Sequence, residues 1–283
     1  MAASDEAYTD IAGVKTRFRK FGDHGPPLVL IHGIASSIED WETNIPVLAQ
    51  THQVFALDLV GCGLSDKPAN FDYSLRSLAK FVLAFMSERG LGKAHLAGFS
   101  LGARLALDCA SLAPERVSSL LLSAPAAVGP DTIINFRLAS VVGLGEILTR
   151  PSRFGMRTLL NAAFHDRTKV TSQMVEDRLR LARLRGAQAA FLAMLRSVTR
   201  LSGFHPAVIA DIQSRLPAIR QPSLVIWGVQ DRFLPSRHGE ILRRLLPNCR
   251  LANYEACGHL PHIEHCDRFN ADAAVFLGSL SDG

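Results

Sequence analysis

Three residues far apart in the chain have the types and settings needed for acyl transfer: Ser100, Asp231 and His259. Ser100 lies in Gly98-Phe99-Ser100-Leu101-Gly102, between the apolar run Lys93 to Ala97 and the helix-like stretch Ala103 to Ala113. With no loop residues between them, these segments predict a strand, a very tight turn and a helix. Such a turn strains its central residue, and a Cβ two positions to either side would strike the crossing helix and strand, which calls for glycine at 98 and 102. Ser100 is thereby pushed above the sheet edge. The helix behind it aims free amides and its positive dipole end at the same point, where a developing oxyanion is stabilised.

A serine hydroxyl is a weak nucleophile until a base takes its proton, and the base works best when a carboxylate fixes its tautomer. Ile226-Trp227-Gly228-Val229-Gln230-Asp231 places Asp231 just past a buried strand, and Tyr254-Glu255-Ala256-Cys257-Gly258-His259 places His259 just past the last one. Asp131, Asp211 and Glu255 are other carboxylates near the same edge, but only Asp231 directly follows a buried strand. Strands of a parallel sheet share one carboxyl edge, so the three side chains are expected to converge there.

The elements that must position them read as a strand-helix alternation. Val14 to Phe21 predicts an edge strand, and Leu28 to Ile31 and Val54 to Asp58 predict strands buried on both faces, joined through a short helix over Asp40 to Gln50. Ser74 to Arg89 reads as an amphipathic helix leading into the Ser100 strand. Further strands are expected at Val117 to Leu122, Ser223 to Trp227 and Arg250 to Tyr254, with a closing helix over Glu264 to Leu280. Between the strands near Ser123 and Ser223 lie about a hundred residues without a convincing buried strand. Met174 to Arg185 and Gln188 to Leu201 have helical spacing there. A helical lid over residues 126–210, inserted into a core formed by 1–125 and 211–283, is the expected organisation.

Taken with His32-Gly33, Asp58 and the turn Gly61 to Ser65, Gly228 to Pro235, and Gly258-His259-Leu260-Pro261 with Glu264, the chain resembles the lid-bearing serine hydrolases of the α/β-hydrolase fold from about Lys15 to Leu280. The resemblance implies a mostly parallel sheet with helices on both faces, and an oxyanion hole from the backbone amides of Ile34 and Leu101. It also implies an acyl pocket under the lid and no cofactor. Asp58 and the Gly61 to Ser65 turn read as structural, and His32 as ordering the oxyanion loop. Trp41 and Phe99 suit either core packing or a pocket wall.

The bond expected to be cleaved is a carboxylic ester of a small to medium apolar acyl group, through an acyl-enzyme on Ser100. Phe136, Leu138, Phe154, Leu159, Leu160, Phe164, Phe191, Leu192 and Met194 are candidate lining residues of the lid. The alternative is a carbon-carbon bond hydrolase acting on dienoate products of aromatic-ring cleavage, whose lid arginine would hold the substrate carboxylate. Such relatives commonly carry Trp after the catalytic histidine, where Leu260 stands here. A non-catalytic small-molecule binding protein on the same fold is the reading of another class.

Composition narrows the remainder. No run of 18 uncharged apolar residues occurs, so no membrane span is expected, and the five scattered cysteines without a CxxC pair suit a reducing compartment; cytoplasm is the expected location. Residues 127–210 carry twelve Lys and Arg against five Asp and Glu, within a chain of net charge +5. Such a surface can attract an acidic carrier protein, whereas no nucleic-acid module accompanies it. Cys257, His259, His262, His265 and Cys266 have donor types that bind zinc, but a catalytic histidine loop running into a helix accounts for them, and no metal is expected.

Overall fold

The computed structural model describes residues 5–280. Its frame is an eight-stranded sheet built from β1 (Asp5–Ile11), β2 (Val14–Phe21), β3 (Pro27–Ile31), β4 (Gln53–Leu57), β5 (Ala94–Phe99), β6 (Val117–Ser123), β9 (Ser223–Gly228) and β10 (Cys249–Tyr254). The spatial order is β1-β2-β4-β3-β5-β6-β9-β10. From β4 to β10 every neighbouring pair is parallel, whereas β1 with β2 and β2 with β4 are antiparallel. The continuous apolar runs are explained by this: Leu28, Val29, Leu30 and Ile31 of β3 are each fully buried, as strands covered by helices on both faces must be.

Val14 to Phe21 is not the edge strand. β1 pairs outside it through a two-residue turn in which Ala12 and Gly13 both have positive φ, 52° and 83°, as a type I′ hairpin requires. Glu6, Tyr8 and Asp10 point to solvent on this outermost strand. Its acidic, half-exposed pattern therefore lacks the alternation of a covered strand.

The helices are α1 (Ile45–Leu48), α2 (Leu75–Glu88), α3 (Leu101–Leu112), α10 (Arg237–Leu245), α11 (Pro261–Glu264) and α12 (Cys266–Gly278) around the sheet. The single helix expected over Asp40 to Gln50 is a 3-10 turn, Ile38–Trp41, followed by α1. The closing helix is likewise broken, at His265 between α11 and α12. Between β6 and β9 the chain forms α4 (Ile134–Ala139), α5 (Leu144–Leu148), α6 (Arg153–Ala163), α7 (Ser172–Ala182), α8 (Ala187–Val198), a small hairpin of β7 (Thr199–Arg200) and β8 (Gly203–Phe204), and α9 (Pro206–Arg215). Residue 210, the expected end of the insertion, falls inside α9. That helix is tied to α3, with Arg215 donating to Asp108 at 2.7 Å and Arg104 donating to the Val208 carbonyl at 3.4 Å.

No helix among the described residues is long and apolar enough to cross a membrane.

The core beneath the carboxyl edge contains a histidine without hydrogen-bonding partners for its ring. His262 is fully buried against Trp41 and Phe99, with centroids 4.7 Å away in both cases, and neither ring nitrogen is bonded. Burial pushes its pKa down to about 3, and likewise that of His95 on β5 to about 4. Both rings stay neutral in the fold while the unfolded chain takes up protons below about 6.5, so stability falls as pH drops from there towards 4. His262→Phe removes no hydrogen bond and is expected to be near neutral in stability at pH 7. It should reduce the acid-induced loss by roughly 1.4 kcal/mol per pH unit below 6.5, read from urea unfolding at pH 7 and pH 5. Parallel losses in variant and parent would contradict this account.

Candidate active site

β5 turns into α3 at Ser100 with φ 53° and ψ −112°, a conformation that few residues adopt without surrounding constraint. The constraint is contact: a Cβ at Gly98 would lie 2.4 Å from the Gly102 carbonyl group, and one at Gly102 would lie 2.1 Å from the Ile31 carbonyl oxygen. The turn can therefore be made only where α3 and β3 press on it.

The three side chains expected at the edge do meet. His259 Nδ1 lies 2.7 Å from Asp231 Oδ2, and His259 Nε2 lies 3.2 Å from Ser100 Oγ. Asp231 is held in turn by the amides of Phe233 and Leu234, which donate to Oδ1 at 2.7 and 2.9 Å. Both carboxylate oxygens thus have fixed partners, and the carboxylate sets the imidazole so that Nδ1–H donates to it and Nε2 faces the hydroxyl. All three residues are buried; Ser100 and His259 open onto a shared pocket, and Asp231 lies behind the imidazole.

Ile34 lines that pocket and Leu101 is the first residue of α3. Among the described residues neither backbone N–H donates a hydrogen bond, so both remain available to an oxyanion at Ser100. The loop carrying Ile34 is fixed from below: Leu59 N–H donates to His32 Nε2 at 3.0 Å, which leaves Nδ1–H to donate to the Gly33 carbonyl at 2.6 Å. Asp58, fully buried, accepts from the amides of Ile38 and Leu64 at 2.8 and 2.7 Å and pairs with Arg17 at 3.2 Å. These contacts give His32 and Asp58 scaffold positions.

Phe233 and Arg178 were not singled out by the sequence, whereas Phe99 and Glu264 were. Phe233 stacks on the His259 ring, with centroids 4.9 Å apart and planes 22° from parallel, and Phe99 packs on it from another side at 5.0 Å. Arg178 of α7 reaches the pocket, donating to Ser36 Oγ at 3.2 Å and pairing with Asp40, which also accepts from Ser36. Glu264 staples the histidine loop to the insertion: its carboxylate accepts from Gly258 N–H at 2.8 Å and from His165 N–H at 2.7 Å. Close by, His259 N–H donates to the Ala163 carbonyl at 2.6 Å. Single-residue patterns gave no cue to Arg178, one arginine among many on the insertion, because only the packing of α7 over the edge selects it.

The pocket at Ser100 has a volume of about 60 Å³ and joins a larger, mostly apolar cavity of about 440 Å³ under the insertion, the two sharing Ile34, Phe136, Leu159 and Arg178 among their walls. Of the expected lining residues, Phe136, Leu138, Phe154, Leu159, Leu160 and Phe191 face these spaces, whereas Phe164, Leu192 and Met194 are core. Trp41 is core and Phe99 is pocket wall.

The zinc-type donors are dispersed. His262 lies among aromatic rings and Cys266 beside Asp267, while Cys257, Glu264 and His265 keep donor atoms within 4.8 Å of one another. The Glu264 oxygens are engaged as above, His265 Nε2 bonds the Ala256 carbonyl at 3.0 Å, and burial pushes the Cys257 thiol far above its ordinary pKa, which opposes the thiolate a metal needs.

Comparison with known proteins follows the same lines. A family model described as alpha/beta hydrolase fold matches residues 26–265. The 2-hydroxymuconate semialdehyde hydrolase of Pseudomonas putida is 32% identical over 268 residues, 94% of this chain and 92% of that protein. The dihydrolipoyllysine-residue acetyltransferase component of the acetoin cleaving system of Pseudomonas putida is 34% identical over 260 residues, 92% of this chain; the match spans 65% of that longer protein. Among solved structures, the meta-cleavage product hydrolase of Pseudomonas fluorescens IP01 superposes with a TM-score of 0.83 at 28% identity, covering 96% of this chain and 97% of that one.

The geometry around Asp231 predicts that Asp231→Asn, which retains the shape but disfavours the required imidazole tautomer, lowers kcat on any turned-over substrate by on the order of 10³–10⁴-fold with KM little changed. Steady-state kinetics of the folded variant checks it.

Proposed function

This chain belongs to the alpha/beta hydrolase fold family, and on that premise we propose that it is a serine hydrolase cleaving a carbon-carbon bond in dienoate products of aromatic-ring cleavage. Two lines of support meet here: hydrolases named for such substrates match nearly the whole chain, and Arg178 shares the pocket with Ser100 and His259. The single observation that carries the reading is that arginine, a fork of donors suited to the carboxylate of such a product. The insertion between β6 and β9 acts as the cap that places it.

In the proposed reaction Ser100 Oγ attacks the ketone carbon and passes its proton to His259 Nε2, while the oxyanion rests on the amides of Ile34 and Leu101. Collapse of the tetrahedral adduct breaks the carbon-carbon bond. Its electron pair passes into the conjugated keto-acid fragment, which takes the proton from His259 and leaves the acyl group on Ser100. Water, deprotonated by His259, then attacks the acyl-enzyme, and its proton is returned to Ser100 as the carboxylic acid departs. Arg178 and the carboxylate it holds keep the electron-accepting end of the substrate away from the nucleophile.

One observation favours the ester reading: Asp40 already neutralises Arg178, so the pocket wall carries no net positive charge at that point. An ester requires the same attack with an alkoxide leaving group and no carboxylate anchor. Leu260, which stands where such carbon-carbon hydrolases commonly carry Trp, also lines the pocket.

Ring-cleavage dienoates and p-nitrophenyl esters of graded acyl length, assayed side by side, separate the two. The dienoates are expected to give the higher kcat/KM, with Ser100→Ala inactive on both. Asp40→Asn combined with Arg178→Gln, which strands no buried charge, should raise KM for the dienoate by about tenfold or more while leaving uncharged esters within about threefold. Ester turnover without dienoate turnover would replace this reading with the ester one.

A further inference from the structure

Seven of the ten exposed large hydrophobic residues among those described fall between Ile134 and Phe154, including Val142 at 78% and Phe154 at 84% exposure. They are gathered by the local structure. Leu144, Ile147 and Leu148 are spaced three and four apart on α5 and share one face of that helix. Leu148 at its end and Phe154 at the start of α6 both line the larger cavity while remaining mostly exposed, so they stand at its mouth. Isolated exposed hydrophobics are ordinary, whereas a cluster around a cavity mouth marks an interaction surface.

The charge around this cluster is predominantly positive. Residues 132–165 hold four arginines, Arg137, Arg150, Arg153 and Arg157, and one acid, Glu146. Glu146 is taken by Arg196 of α8 at 2.8 Å. Arg150 and Arg153 are exposed; Arg153 pairs with Glu176 of α7 at 3.0 Å, whereas Arg150 lies on the cavity wall beside Leu148 and Phe154 without an acidic partner among the described residues. Arginines alternating with large apolar side chains around an opening complement a surface that is negative outside and apolar within.

We propose that the face formed by α5 and the turn into α6 docks this protein on an anionic lipid bilayer, with Ile147, Leu148 and Phe154 entering the acyl boundary and the arginines at the level of the headgroup phosphates. A bilayer fits better than a protein partner because the cavity mouth lies inside the patch. A second copy of the chain seated there would seal the route to Ser100, whereas a bilayer can deliver an apolar or amphiphilic molecule through it.

Vesicle co-sedimentation tests the proposal without reference to turnover. Wild-type protein is expected to bind phosphatidylcholine vesicles containing phosphatidylglycerol at least about tenfold more tightly than pure phosphatidylcholine at low salt, with most of that difference lost at about 0.5 M salt. Arg150→Gln should weaken binding about fivefold, and Val142→Ser with Ile147→Ser about tenfold; all substituted side chains are exposed, and circular dichroism checks the fold. Equal binding to the two vesicle types, or variants that bind as the parent does, overturns the proposal. So does a wild-type dimer in sedimentation equilibrium that Val142→Ser with Ile147→Ser dissociates, in the absence of vesicle binding.

Discussion

The site depends on one crossing. α3 passes so close to β3 that the chain between β5 and α3 has room only for hydrogen at positions 98 and 102, and this closeness forces the backbone of Ser100 into its strained conformation. The strain is held by packing on both sides and not by the turn itself, so it persists only because the sheet and helix are otherwise well buried. The same crossing sets the hydroxyl on the sheet edge, brings the Leu101 amide beside it and lays the β3 loop with Ile34 opposite. A single close approach thus sets both the position of the Ser100 hydroxyl at the pocket and the unpaired amides near it.

The remaining reactive groups arrive through strand order. β3 has β4 on one side and β5 on the other, so the chain direction of the crossovers reverses between them and opens a crevice at the carboxyl edge. β9 and β10 continue the sheet, and the loops after them return Asp231 and His259 over that crevice. The imidazole is then confined between Phe99 and Phe233, so its rotation is restricted before any substrate arrives.

Much of this was legible in the chain because doubly covered strands read as unbroken apolar runs, as in Leu28 to Ile31, and because turn, strand and reactive residue occur together at Ser100, Asp231 and His259. What escaped reading escaped for physical reasons. β1 is outermost and half solvated, so Glu6 and Asp10 obscure it. The breaks at Trp41 and His265 come from tertiary packing that overrides helical propensity. Arg178 and Phe233 act through contacts across more than a hundred and about thirty positions of sequence respectively, and local spacing carries no trace of such distances.

The bond from the His259 amide to Ala163, reinforced by the Glu264 staple, ties the end of α6 to the loop that carries the imidazole. A cover hinged as a rigid flap would break that bond and shift the His259 ring each time it lifted. Any opening of the insertion that keeps this tie must therefore occur away from the end of α6.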